Sequence, residues 1–227
     1  MEYLSIDEMN EVWSALTLEE RIFLRENSRL QPFKKSETLY EEGTPSEYLY
    51  SIATGKVKIY KEGVSGRQQI IRVAEPGAVF SFRAFFANES HCVSAATIEP
   101  SMIYMVPLTI IRQIVESNNK LAISFMGILA KELGAAETRV VSLTQKHLRG
   151  RLAETLVLLI DTFGYDEDTQ YIGNCLSRED LACFANMTAS NAIRTLSNFD
   201  EEGIITIEGK RIHVINESLL RRISKQG

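Results

Sequence analysis

The stretch LSREDLACFANMTASNAIRTLSNFDEEGIITIEGKRIHVI, residues 176–215, decides the fold. Ser177 has a side chain suited to capping a helix, and Asp180 three places on approximates a capping box. The helix that follows turns Leu181, Phe184 and Ala185 inward and halts at Asn186, one of the few non-glycine residues that tolerates a left-handed turn. Met187 is apolar and fills the angle between two helices. Thr188 is a second N-cap, and Ala192, Ile193, Leu196 and Phe199 behind it form an inward stripe. Ala182 is small where the two helices cross. Together these features predict a helix-turn-helix. Gly203 stops the second helix. IITI and RIHVI then flank Glu208-Gly209-Lys210, the pattern of a tight hairpin. A hairpin directly after a helix-turn-helix predicts a winged helix, with Lys210 and Arg211 at its tip placed to touch phosphates.

The outward positions at the start of the second helix, Ala189, Ser190 and Asn191, carry no acid. Arg194, one turn later, is basic on the same face. Such a tip approaches base edges without repelling phosphate. Residues 149–227 hold nine Lys or Arg against twelve Asp or Glu, a balance unusual for a DNA-binding domain. The acids, however, cluster at 166–168 and 200–202, away from that tip. The residues favour double-stranded DNA as partner, with Ser177, Thr188, Ala189, Ser190, Asn191, Arg194, Lys210 and Arg211 as contact candidates. Helix-turn-helix geometry also occurs in protein-interaction domains, so a module without ligand or DNA stands as the alternative.

Upstream, residues 5–27 read as helical. Ile6, Met9, Val12, Trp13 and Leu16 form one stripe, and Leu18, Ile22 and Phe23 follow. From about residue 30 the texture becomes short runs rich in Val, Ile and Tyr. Gly43, Gly55, Gly66 and Gly77 separate the first of them at intervals of 12, 11 and 11 residues. Evenly spaced turn glycines between short strands predict a sandwich, barrel or jelly roll. Pro107 opens a helix, and a longer one runs from about Asn118 to Lys146, roughly 40 Å at 1.5 Å per residue. On it Leu129, Leu133, Ala136, Val140, Leu143 and His147 are spaced 4, 3, 4, 3 and 4 apart. That is a heptad seam, and it predicts a homodimer; the alternative is that the helix lies along its own β domain. A second long helix, GRLAETLVLLIDTFG, and a polar loop, YDEDTQ, lead into the winged helix.

The reading is an α+β chain. It has an antiparallel, jelly-roll-like β-roll over 1–115, a dimerisation helix over 116–147 and a winged helix-turn-helix over 148–227. At 44% hydrophobic and 24% charged the composition is that of an ordinary globular protein. No apolar run is of bilayer length, and the acidic start MEYLSIDEMNEVW does not resemble a signal peptide, so the expected location is the cytoplasm. Cys92, Cys175 and Cys183 form no CxxC pair, and no metal site or cofactor is expected. A cupin-type enzyme needs clustered His and carboxylate ligands, whereas the β region offers only His91, with His147 and His213 elsewhere. Catalysis is not expected.

In this order of parts the whole chain resembles the CRP/FNR family of bacterial transcription regulators. Gly43, Gly55 and Gly77 fall where the family's β-roll has its glycines, and LSREDLACFANMTASNAIRTLSNFDEEGII is the most specific match. The resemblance implies a homodimer on a pseudo-palindromic operator, with RNA polymerase as a partner; the roll is the place for a small-molecule effector if there is one, since some members act without any. Departures bear on the effector. Cyclic-AMP-binding members carry a Gly-Glu-Leu segment after the glycine corresponding to Gly77 and an Arg-Ser pair further on, the Glu taking the ribose hydroxyl and the Arg the cyclic phosphate. Here those positions read Ser81, Phe82, Arg83 and Cys92, Val93. Both charged contacts are gone, and cyclic AMP binding by the usual mode is not expected. Ser142 and Thr144 lie in the region of the family's adenine contact. An FNR-type cluster is excluded because no cysteine precedes Cys92. The His91-Cys92 pair reads as a strand end rather than haem ligation, and no electropositive neighbour of Cys92 is evident. Family recognition helices often begin Ser-Arg-Glu. Here the Arg-Glu positions are Ala189 and Ser190, while the later arginine is kept as Arg194, which implies a different operator.

Within PGAVFSFRAFF, residues 76–86, strand alternation sends Phe80 and Phe82 one way and Ser81 and Arg83 the other. Arg83 is expected to point outward, paired with Glu89 or another acid; the alternative is that it meets an anion in a remodelled pocket.

Overall fold

The computed structural model describes residues 4–63, 66–166, 171–172 and 176–227. Cys175 and most of the polar loop after Tyr165, including two of the acids at 166–168, lie outside the described residues. Two compact units are present, one of residues 1–62 and 71–134, the other of residues 63–70 and 135–227.

The N-terminal segment is not the continuous helix that its periodicity predicts. Two 3-10 turns, Ile6–Glu8 and Glu11–Ala15, precede helix α1, Leu18–Glu26. Ser5 and Thr17 each open their element with a reciprocal capping box to Glu8 and Glu20. The break alters which residues are buried. Ile6, Val12, Trp13 and Leu16 are inside as predicted, but Leu18, Ile22 and Phe23 are exposed and Leu24 is the core residue of α1.

Eight strands follow: β1 Arg29–Phe33, β2 Thr38–Tyr40, β3 Tyr48–Thr54, β4 Val57–Glu62, β5 Gln68–Ala74, β6 Val79–Phe80, then helix α2 Arg83–Ala87, β7 Ser94–Thr97 and β8 Ser101–Pro107. They form two four-stranded sheets, ordered β1-β8-β3-β6 and β2-β7-β4-β5. Every described pairing in them is antiparallel. Phe33, Tyr50, Ile52, Phe80 and Ile103 from the first sheet meet Tyr40, Val57, Ile59, Ala74 and Ala95 from the second in one core. The predicted turn glycines hold their place. Gly55 and Gly77 each have φ +87°, and a Cβ on Gly77 would stand 2.8 Å from the Met9 carbonyl oxygen.

Helix α3, Leu108–Ser117, starts where β8 ends, with Pro107 as its cap, and α4 runs Asn119–Gln145. A second core lies on the outer face of the first sheet. There Ile6, Trp13, Leu24, Phe82, Leu108, Ile111, Leu121 and Phe125 pack on Leu49, Val79 and Val106. Phe125 sits 4.8 Å from Phe82 and edge-on to Trp13 at 6.0 Å, which seats the first turns of α4. His147 does not continue the heptad seam, because α4 ends before it and it caps the next helix in extended conformation.

In the second unit, α5 (Leu148–Phe163) and α8 (Glu217–Gln226) pack along each other. Leu152, Leu156, Leu159 and Leu220 are buried, and Arg221 bridges Asp161 at 2.5 Å and Glu217 at 2.6 Å. Between them in sequence lie α6 (Arg178–Phe184), α7 (Ala189–Glu201), β9 (Ile205–Glu208) and β10 (Arg211–Val214). No described helix is long and apolar enough to cross a membrane.

Candidate nucleic-acid interface

The turn between α6 and α7 is built as its sequence predicts. Ser177 Oγ accepts from the Asp180 amide at 3.0 Å and Thr188 Oγ1 from the Asn191 amide at 3.2 Å, so both helices are side-chain capped. Asn186 has φ +51°, Met187 is buried in the angle, and its amide donates to the Ala182 carbonyl at 2.9 Å. Ala182 is buried, consistent with a close crossing of α6 and α7. Gly203, at φ +67°, ends α7 and lets the Ile204 amide return to the Phe199 carbonyl at 2.9 Å.

The hairpin pairs Arg211 with Glu208 and Val214 with Ile205, leaving a two-residue loop, Gly209-Lys210. Lys210 and Arg211 are exposed. The Arg211 guanidinium lies 5.4 Å over the Tyr171 ring, and Arg178 donates to the Gly209 carbonyl at 3.0 Å, tying the wing tip to the start of α6. A third short segment that sequence reading missed widens the wing. Tyr171 bridges His213, and the Ile172 amide donates to the Ile212 carbonyl at 2.9 Å. Two residues are too few to carry a readable alternation.

The inner side of α7 holds Ala192, Thr195, Leu196 and Phe199. Its outer side presents Ser190, Ile193, Arg194 and Ser197, all exposed. Ile193 therefore departs from the inward position that its periodicity predicts: it is 51% exposed. Asn191 Oδ1 accepts from Arg194 Nη2 at 2.9 Å, which holds the guanidinium along the helix surface. Glu202, at the far end, is engaged by Arg149 at 2.5 Å, so one of the acids at 200–202 is neutralised within the domain.

One ionic cluster joins the end of α4 to this domain. Glu154 on α5 accepts from Lys146 at 2.8 Å and from Ser142, and lies 3.8 Å from Arg139. Arg139 also stacks 5.0 Å over the Phe184 ring and donates to the Phe184 carbonyl. Ser142, in the region of the family's adenine contact, is buried on Glu154, and Thr144 Oγ1 donates to the Val140 carbonyl at 2.9 Å.

Along α4 the seam residues Leu133 and Val140 are 62% and 61% exposed, Ala136 is exposed, and Leu129 and Leu143 are half-buried. Met126, seven residues before Leu133, is exposed on the same helix and extends the seam, and Ile123, off the heptad spacing, is exposed as well.

The stretch around Arg83 corrects the strand-alternation reading. The strand ends at Phe80, Ser81 takes φ +79°, and Arg83 begins α2. Phe80 packs between the sheets whereas Phe82 enters the helix-side core. Arg83 is paired as expected: Nη2 donates to Glu89 Oε2 at 3.0 Å. The same nitrogen lies 3.2 Å from Cys92 Sγ, an electropositive neighbour that the sequence did not reveal because nine residues separate the two. Cys92 is exposed and Val93 packs against the inter-sheet core. His91 is buried and stacked on Tyr40 at 3.9 Å. Burial, and then the Arg83 charge, lower its pKa, so the imidazole is neutral at pH 7. Among the described residues no cluster of His, Cys, Asp and Glu is arranged to hold a metal ion.

Two family models match the chain: a cyclic nucleotide-binding domain over residues 30–118 and a Crp-like helix-turn-helix domain over residues 150–223. Electron transport regulator A of Shewanella oneidensis is 25% identical over 197 residues, covering 86% of this chain and 78% of that protein. A CRP-like cAMP-activated global transcriptional regulator of Mycobacterium tuberculosis is 25% identical over 197 residues, covering 86% of this chain and 88% of its own. Among solved structures, FixK2 from Bradyrhizobium japonicum superposes with a TM-score of 0.79 at 25% identity, over 86% of this chain and 96% of that one. With a capped helix-turn-helix, a wing and a two-sheet roll in the family's order, the chain is a DNA-binding transcription regulator of the CRP/FNR family.

Proposed function

We propose that the protein acts as a homodimer that binds an inverted-repeat operator, with α7 in the major groove of each half-site and the wing on the flanking backbone. The observation that carries this reading is the outer side of α7, where Ser190 and Arg194 stand exposed on a neutral helix start. Arg194 contacts a guanine edge or a phosphate; Ser177, Thr188, Ala189, Ser190 and Asn191 line the approach, and Lys210 and Arg211 meet phosphates. The exposed stripe of α4, from Met126 through Leu133 to Val140, supplies the dimer seam. A twofold dimer of this kind sets its two recognition helices about 34 Å apart, one turn of DNA. The setting is the cytoplasm, with RNA polymerase the partner at the promoter.

Cyclic AMP is not the effector by the family's usual mode, although one relative is named for activation by it. Three observations support this. Arg83 is engaged by Glu89, Phe82 is committed to the helix-side core, and Tyr40, Tyr50, Phe80 and His91 stack together in the inter-sheet space.

Selection of bound duplex from a random library by the full-length protein tests the function. The expected product is a pseudo-palindrome with half-site centres about 10 base pairs apart. Recovery of no enriched sequence overturns the reading.

A further inference from the structure

The outer side of α7 contains one residue that a solvent-facing helix has no use for. Ile193 is 51% exposed, β-branched and apolar, and it sits between Ser190, Arg194 and Ser197. A lone exposed aliphatic side chain is common on protein surfaces and by itself means little. The position of this one carries the argument. Ala192, Thr195, Leu196 and Phe199 already form the helix's buried side. About half of Ile193 is left outside that core, and a β-branched residue slightly weakens the helix that bears it. Local choices that run against stability without a packing return concentrate at functional positions.

What would cover Ile193 follows from its neighbours. Arg194 is the next residue, and Ser190 and Ser197 lie one turn to either side of this pair. The three polar side chains suit the donors and acceptors of base edges. On the major-groove floor the one apolar feature is the C5-methyl group of thymine. We propose that Ile193 is a specificity-determining residue that packs on a thymine methyl in each operator half-site, beside the base pair or phosphate met by Arg194. This rests on the assignment of α7 as the reading helix made above. The contact desolvates both apolar groups. A cytosine in place of the thymine lacks the methyl group and leaves the isoleucine without its apolar partner.

The test uses the full-length protein and the duplex it selects. Each thymine of the half-site is replaced in turn, symmetrically, by deoxyuridine, which removes only the methyl group and keeps the base pairing. Affinities of the wild type and of Ile193→Ala are measured by fluorescence anisotropy, and circular dichroism checks that the variant folds. The expected result is one thymine position at which deoxyuridine weakens the wild type, by about fourfold per half-site from the burial value of one methyl group. Ile193→Ala should bind the parent duplex more weakly and be indifferent to the same replacement. Two outcomes overturn the proposal: a wild type indifferent to deoxyuridine at every position, or a loss at one position that is equal in Ile193→Ala. If the wild type selects no sequence at all, the reading of α7 itself fails, and that failure is distinct from the first two.

Discussion

Arg83 is a charge set among four phenylalanines, and its surroundings give it a local role. Glu89 holds it at the surface end of α2, beside the Cys92 thiol. Asp7 is the opposite case, a carboxylate with no exposed side-chain area. Burial pushes its pKa up, but hydrogen bonds from Arg25, Ser5 and Arg21 outweigh that and hold it at about 2. Its folded pKa lies below the ordinary 3.8, so the stabilisation is complete above that value and is lost as the pH falls towards 2. We expect Asp7→Asn to cost roughly 2 kcal/mol in urea unfolding at pH 7 and to show a smaller loss of stability than the wild type on acidification to about pH 3. Equal stability of the two proteins at pH 7 would contradict this account. At the reading face, Arg194→Ala should weaken binding to the selected operator by about 1–3 kcal/mol if both guanidinium nitrogens reach one base. An unchanged gel-shift midpoint would remove Arg194 from the contact set. Thr188, Asn186 and Met187 are readable from sequence because capping, the left-handed turn and the filling of an angle are each properties of one residue type at one place. Ile193 is not. It lies about 100° around the helix from Ala192, at the margin of the stripe, and periodicity alone does not say on which side of the margin a residue falls.

At the scale of elements, α4 faces two ways. Leu121 and Phe125 anchor its first turns in the helix-side core, while Ile123, Met126, Leu133 and Val140 stand exposed. Met126, Leu133 and Val140 repeat every seven residues, and a stripe of that kind suits a second copy of the same helix. Leu133→Glu would place like charges opposite each other in such a seam. Sedimentation should show a shift from dimer to monomer, with helix content unchanged; a dimer that survives the substitution would move the interface elsewhere. Most of the seam is legible because its heptad is local. Its end is not: His147 keeps the spacing but lies beyond the last turn of α4, where the extended backbone turns into α5. The N-terminal elements teach the same lesson. Apolar periodicity continues through 5–27, but the capping residues Ser5, Asn10 and Thr17 divide the segment into three, and burial follows the division.

At the scale of the molecule, a chain of net charge −5 must approach a polyanion. Long-range attraction is not available to bring it there, so affinity rests on a small set of local cations. Lys210 is exposed at the wing tip, and the proposed binding mode places it in that set. Lys210→Ala should lower affinity to a similar degree for all sequences and reduce the slope of log affinity against log salt by about one for each phosphate that the lysine no longer neutralises. Binding insensitive to salt would point away from phosphate recognition altogether.

The sequence by itself determined the order of parts: roll, long helix, helix-turn-helix and wing. Turn glycines, caps, a heptad and a left-handed asparagine are local signals, and each fixes its element without reference to the rest of the chain. Tertiary structure decided what lies between elements. It sent Phe80 and Phe82 into different cores, brought Arg83 against Cys92, stacked His91 on Tyr40, buried Ser142 on Glu154 and turned Ile193 outward. Those outcomes depend on contacts between residues far apart or on which side of an element another one packs, and spacing along the chain does not encode either.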